Sequence, residues 1–126
     1  MDIIESKVIH GKGKGKSMGF ATANQDISNL KVYPKNGVYA SLVWIDKQKY
    51  IGITNVGTRP TVDNDKDITI ETHILHYDKD LYGKTIKVEL YYYLRDIKKF
   101  VNKKELLQQI EQDSLEAEQL FKEKDQ

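Results

Sequence analysis

A two-residue period in the second half of the chain limits the fold more than any other feature. Ile86, Val88, Leu90, Tyr92 and Leu94 alternate with Lys87, Glu89, Tyr91, Tyr93 and Arg95. Ile68, Ile70, Thr72 and Ile74 alternate in the same way with Thr69, Glu71, His73 and Leu75. A strand turns successive side chains to opposite faces, so both segments read as strands, separated by Asp80 to Gly83. Ile3 to Ile9 is loosely alternating and rich in β-branched residues. Val38 to Ile45 is strongly apolar and follows a turn signal at Pro34, Asn36 and Gly37. Asp46 to Lys49 is polar, Tyr50 to Val56 reads as the returning strand of a hairpin, and Gly57 to Asp67 reads as a loop containing Pro60.

After Phe100 the period becomes helical, with Leu106, Leu107, Ile110, Ala117, Leu120 and Phe121 on one side. Asn102 followed three residues later by Glu105 has the form of a capping box. Several antiparallel strands and then one helix predict a small β-barrel or sandwich with the helix packed on it. A chain of 126 residues fits one domain, with a barrel over residues 1–100 and a helix over 103–124.

Composition removes several classes of function. The 20 basic and 19 acidic side chains leave a net charge of +1, so nothing attracts nucleic acid or an anionic membrane to the surface as a whole. An anion site must be a local arrangement. Cysteine is absent, which excludes disulfides, thiolate nucleophiles and cysteine-bound zinc. Met1 to Lys16 has no apolar stretch long enough for a signal peptide or a membrane span, and the expected location is the cytoplasm.

Three segments could carry chemistry. His10-Gly11-Lys12-Gly13-Lys14-Gly15-Lys16-Ser17 offers glycines that let backbone approach a phosphate and lysines that neutralise it. It is not a P-loop, because His10 stands where that pattern needs glycine and no helix follows directly; a flexible basic turn is the plain alternative. Thr22 and Asn24, read as part of a loop, could jointly hold a phosphate-bound Mg²⁺, although both residues are also ordinary turn formers. Glu71 sits within a β-branched run, where a carboxylate is either a solvated outer-face group or a general base. The three histidines do not form a zinc site, since His73 and His76, three apart on a predicted strand, face opposite ways. Lys98, Lys99, Lys103 and Lys104 read as a solvated surface run, and Tyr91-Tyr92-Tyr93 as strand packing or a platform for a planar ring.

Taken in order, these segments resemble the riboflavin kinase family from about Val8 to Phe121. The resemblance is carried by the glycine-lysine loop, Gly19-Phe20-Ala21-Thr22-Ala23-Asn24, Asn36-Gly37-Val38-Tyr39-Ala40 and Asn55-Val56-Gly57-Thr58-Arg59-Pro60-Thr61. Glu71-Thr72-His73-Ile74, Asp80-Leu81-Tyr82-Gly83, Leu94-Arg95 and the helix with Gln109, Ile110 and Asp113 complete it. It implies a mainly β fold, a small antiparallel Greek-key (split) barrel of about six strands with a C-terminal helix. It implies transfer of the ATP γ-phosphate to the ribityl 5′-hydroxyl of riboflavin, giving FMN and ADP, with Mg²⁺ as cofactor.

The resemblance also implies roles. Thr22 and Asn24 match the pair that holds Mg²⁺ and the nucleotide phosphates; Gly11 and Lys16 match the loop over the nucleotide. Ile74, His76 and Tyr82 match positions lining the ATP site, and Glu71 matches the catalytic base. Arg95, Lys98 and Phe100 match a segment on the flavin side. No nucleic-acid or membrane partner is implied. Ala21 stands where the family usually has proline, which predicts a more mobile nucleotide loop and the same reaction. No adenylyltransferase segment, found in front of the kinase in bifunctional relatives, occurs in these residues, so FMN without FAD is expected. A regulatory flavin- or nucleotide-binding barrel without catalysis is the main competing reading, and a small nucleic-acid-binding barrel the other.

Overall fold

The alternating segments close on one another. The computed structural model describes residues 1–10, 21–60 and 66–124. Its strands are β1 (Asp2–Ile9), β2 (Ala21–Gln25), β3 (Gly37–Ile45), β4 (Gln48–Pro60), β5 (Lys66–Ile74) and β6 (Thr85–Arg95), followed by the helix α1 (Lys103–Lys124). They form a closed antiparallel barrel in the order β1-β2-β5-β4-β3-β6. β3, β4 and β5 are consecutive hairpin partners and β6 returns beside β3, the strand arrangement of a Greek key. The mainly β barrel with a C-terminal helix is the expected fold.

The inward face of each strand fills the barrel. Ile4, Val43, Ile70, Ile74, Ile86 and Val88 pack together there without meaningful exposure. A seam of buried hydroxyls crosses the interior from Ser41 to Thr54 (2.8 Å) and on to Thr72 (2.9 Å), so the three satisfy one another. Gly52 permits this closeness: a Cβ there would lie 2.7 Å from Thr72 Cγ2 and 2.8 Å from Val43 Cγ2.

A second apolar layer lies outside the barrel. Ala117 and Phe121 of α1 cover Val38, Ala40 and Ile53, and Phe121 meets the rings of Tyr91 and Tyr92 edge-on at 5.5 and 5.4 Å. The helix starts as its sequence indicates. Glu105 N–H donates to Asn102 Oδ1 at 2.9 Å, while the Glu105 carboxylate accepts from Val101 N–H at 3.4 Å.

The structure departs from the sequence reading in several places. Thr22 and Asn24 are on a strand, β2, rather than in a loop. β4 continues through Gly57 to Pro60, where Pro60 opposes Lys66 and Arg59 opposes Asp67, so both ends of the expected loop are paired strand. β5 ends at Ile74, and His76 lies beyond it in a left-handed turn (φ 60°), not on the strand with His73. In β6 the period breaks: Ser41 opposes Leu90 while Ala40 opposes Tyr92, so one extra residue is accommodated between them. This bulge turns Tyr92 and Leu94 outward to the helix-side layer, whereas Ile86, Val88 and Leu90 stay inside.

The β3–β4 connection is tighter than expected, with only Asp46 (φ 48°) and Lys47 (φ 70°) between the strands. Two successive left-handed residues are what such a hairpin turn requires, and lysine adopts that region at a cost of about 1 kcal/mol. Lys47→Gly is expected to raise stability by a few tenths to about 1 kcal/mol, after the extra unfolded-state entropy of glycine is subtracted. Thermal or urea unfolding would check this, and a lower midpoint would contradict it.

Candidate functional site

β2 and β5 run side by side with Thr22 opposite His73 and Asn24 opposite Glu71. Ala23, between them, points into the barrel and is fully buried, so Thr22 and Asn24 share the outer face. On β5 the same alternation sends Ile70, Thr72 and Ile74 inward and leaves Glu71 and His73 outward. Four polar side chains are thereby brought together by strand register alone. Each β2 residue is held by its cross-strand partner. Thr22 Oγ1 lies 3.1 Å from His73 Nδ1, and the Asn24 side chain hydrogen-bonds the Glu71 carboxylate.

The electrostatics of the two β5 groups follow from their burial. Glu71 retains 28% of its side-chain exposure, and desolvation raises its pKa above the ordinary value, only partly offset by the Asn24 hydrogen bond. It is neither a freely solvated surface carboxylate nor a buried ion pair. His73 is almost completely buried, and desolvation lowers its pKa to about 4, with the Asp113 carboxylate pulling weakly the other way. The imidazole is therefore neutral at pH 7, and its 3.8 Å approach to Glu71 Oε1 is not a salt bridge there.

A neutral buried histidine makes stability depend on acid. The unfolded chain binds this proton near pH 6.5 and the folded chain near 4, so the unfolded state takes up more protons in between. Stability is complete above about pH 6.5 and falls as pH drops through the window to 4, by about 3 kcal/mol in all. Urea midpoints measured across this range should show the fall, and His73→Asn should flatten it. An unchanged slope in the variant would assign the effect to other groups.

Next to this cluster α1 contributes Asp113, 2% exposed and held by Arg95. Arg95 Nε and one terminal nitrogen donate to the carboxylate at 3.0 and 2.7 Å, and its other terminal nitrogen donates to Asp96 O at 3.1 Å. Gln109 extends the network, donating to Asp113 Oδ1 at 3.0 Å and accepting from Lys98 Nζ at 3.4 Å. Beyond Gln109 opens a groove of about 610 Å³ between the segment 98–100 and α1, lined by Lys98, Phe100, Glu105, Gln112 and Leu115 among others.

Thr22, Asn24 and Glu71 are brought together, and Lys98 and Phe100 line the groove. Arg95 stands beside it with its donors committed to Asp113 and Asp96, so it anchors the segment rather than presenting a free guanidinium. Ile74 is fully buried inside the barrel, which leaves only its backbone near Ala21. His76 is exposed, 3.9 Å from Glu118, and Tyr82 is exposed with its ring stacked on His10 at 3.7 Å. Gly11 and Lys16 lie outside the described residues, as does the loop whose mobility Ala21 was expected to raise. Ala21 itself is pinned, its N–H donating to Tyr77 O at 2.8 Å, a bond proline cannot make.

Two residues quoted in the sequence motifs were given no role there. His73 is weighed as a zinc ligand and set aside, yet the alternation that exposes Glu71 puts it on the same face. Asp113 carries a clearer signal, since it lies three residues after Ile110 and four before Ala117, on the apolar stripe of the helix. A carboxylate there is buried and requires a cationic partner. Among the described residues no three His, Cys, Asp or Glu side chains form a metal cluster.

Known proteins resemble this chain along most of its length. A family model described as "Flavokinase: Riboflavin kinase" matches residues 3–121. The bifunctional riboflavin kinase/FMN adenylyltransferase of Bacillus subtilis (strain 168) is 37% identical over 120 residues, covering 94% of this chain and 38% of that protein. The RNA-binding riboflavin kinase RibR of the same organism is 33% identical, covering 90% of this chain and 48% of the relative. The chain thus spans less than half the length of either. Among solved structures, one titled a macrolide-efflux protein from Streptococcus pneumoniae superposes with a TM-score of 0.85 at 30% identity, over 92% of this chain and 38% of that one. The riboflavin kinase of Trypanosoma brucei shares the fold, with a TM-score of 0.67 at 23% identity, over 95% and 79% of the two chains.

Proposed function

The chain belongs to the riboflavin kinase family, and from that premise we propose that it transfers the γ-phosphate of ATP to the ribityl 5′-hydroxyl of riboflavin. The observation that carries the proposal is the partly buried Glu71 carboxylate on one face with Thr22 and Asn24. Glu71 is the general base. It takes the proton of the 5′-hydroxyl as that oxygen bonds to the γ-phosphorus and the bond to the β-phosphate oxygen breaks, releasing ADP. Burial suits this role, because a carboxylate with a raised pKa is a stronger base than a solvated one.

Thr22 and Asn24 offer a hydroxyl and an amide oxygen, and the Asn24 amide nitrogen is directed to Glu71. Two neutral oxygens beside a carboxylate fit Mg²⁺, which keeps most of its ligands from water and substrate phosphates. When bound, Mg²⁺ would neutralise phosphate charge during transfer. Gly11 and Lys16 are assigned to the nucleotide phosphates, and His76 and Tyr82 to the rim of the ATP site, with Ile74 contributing through its backbone. The groove beside α1, with Lys98 and Phe100, is assigned to the flavin, and Arg95 to holding that segment in place. Residues 1–126 act as a single kinase-like domain, and a cytoplasmic setting, where ATP is available, belongs to the same reading. Neither nucleic acid nor membrane is a partner; the net charge of +1 supports this for nucleic acid.

The test is to incubate the purified chain with riboflavin, ATP and Mg²⁺ and separate the flavins. Magnesium-dependent FMN without FAD is expected. Flavin binding with no FMN formed would favour a regulatory barrel instead.

A further inference from the structure

We propose that His73 is a positioning residue whose Nδ1 accepts the hydrogen bond of the Thr22 hydroxyl, so that the oxygen lone pairs of Thr22 face outward to a divalent cation. The inference rests on the kinase reading for the identity of that cation, and on geometry for everything else. Thr22 Oγ1 and His73 Nδ1 are 3.1 Å apart across the β2–β5 pair, and either could donate. The other ring nitrogen decides between them. His73 Nε2 faces Glu71 Oε1 at 3.8 Å, too long for a hydrogen bond, and the Asp113 carboxylate acts on the same ring. A lone pair on Nε2 would oppose the carboxylate oxygen, whereas an N–H there is attracted to it. The ring proton therefore sits on Nε2 and Nδ1 is the acceptor.

A threonine hydroxyl has one proton and two lone pairs. With its proton directed to Nδ1, Thr22 turns both lone pairs away from His73, and Asn24 on the same face is held in parallel by Glu71. In the opposite tautomer His73 would occupy one lone pair, and the hydroxyl proton would point toward the cation. His73 thus acts through Thr22 and makes no contact with substrate of its own. The interaction is a second-layer hydrogen bond of the kind that orients metal ligands elsewhere.

Two measurements test this. In the nucleotide-free protein, ¹⁵N-resolved NMR of the histidine rings should show Nε2 protonated and Nδ1 bare in His73; the reverse assignment would overturn the proposal. Separately, the Mg²⁺ concentration that half-saturates ADP binding should rise about fivefold in His73→Gln, the effect of one lost hydrogen bond. His73→Asn, whose amide oxygen can stand in the place of Nδ1, should recover most of the loss. In a Thr22→Ala background His73→Gln should add nothing further. Equal Mg²⁺ demand in His73→Gln and the wild-type chain, or additive losses, would overturn the proposal. A wild-type chain that binds Mg·ADP yet forms no FMN would sink the kinase reading and leave the His73 result to be judged on the binding data.

Discussion

Glu71→Gln is expected to lower the turnover number for FMN formation by about 10²–10⁴-fold while ATP binding persists. Glutamine keeps the size of the side chain and can still accept the Asn24 hydrogen bond, so the ladder between β2 and β5 survives. What it cannot do is accept the substrate proton. The pH dependence adds an independent check. Burial raises the pKa of Glu71, so the base becomes protonated, and activity is lost, at a higher pH than an ordinary carboxylate would allow. The acidic limb of the turnover profile should therefore lie above the unperturbed value of 4.5, and it should be missing from the residual activity of Glu71→Gln. Steady-state rates with a parallel nucleotide-binding titration decide the matter. Near-normal turnover in the variant would remove Glu71 from the chemistry.

Asp113→Ala is expected to cost about 3–5 kcal/mol of folding stability, the usual penalty for breaking one half of a buried ion pair. Asp113 is 2% exposed and Arg95 16%, so the guanidinium left behind could not fully rehydrate without dragging the end of β6 outward. Three hydrogen bonds from Arg95 and one from Gln109 would go with the carboxylate. Whole domains are stable by only about 5–15 kcal/mol, so the variant should be near its threshold at 37 °C. Urea unfolding gives the number, and a loss below 1 kcal/mol would show that the pair is not a determinant of stability. Replacing both partners with apolar residues of similar volume should recover much of the loss, because no unpaired charge then remains.

The parts of the fold that were legible in the sequence are those in which burial alone chose the residue type. β5 and the first half of β6 alternate because one face fills the barrel, and α1 shows its apolar stripe for the same reason. β2 was not legible. Ala21-Thr22-Ala23-Asn24-Gln25 places only small or polar side chains on both faces, and its strand character comes from pairing with β5 rather than from its own preference. The end of β4 was hidden by Gly57 and Pro60, residues that favour turns but are tolerated where a long hairpin supplies the pairing. The bulge in β6 was hidden because Tyr91, Tyr92 and Tyr93 are chemically alike, and nothing in three tyrosines tells which of them turn toward the helix.

The candidate site divides along the same line. Thr22, Asn24 and Glu71 were identified by their resemblance to a family, since none of them stands out by pattern alone. The pairings of His73 with Thr22 and of Arg95 with Asp113 depended on neighbours distant in sequence, 51 and 18 residues away. Pairings of that kind follow from strand register and helix docking, which no local window contains.

The alternation along β5 ties preparation quality to activity. Ile70, Thr72 and Ile74 occupy the lumen, and Glu71 and His73 the outer face, of one and the same strand. A slip of β5 by one residue would exchange the two sets, driving a carboxylate and an imidazole into a packed apolar interior and three core side chains into water. Such a barrel could not persist, so a stably folded population with a misassembled β5 face has no structure available to it. Heat or denaturant should therefore extinguish catalysis in step with unfolding, and turnover per intact molecule should stay constant throughout the transition.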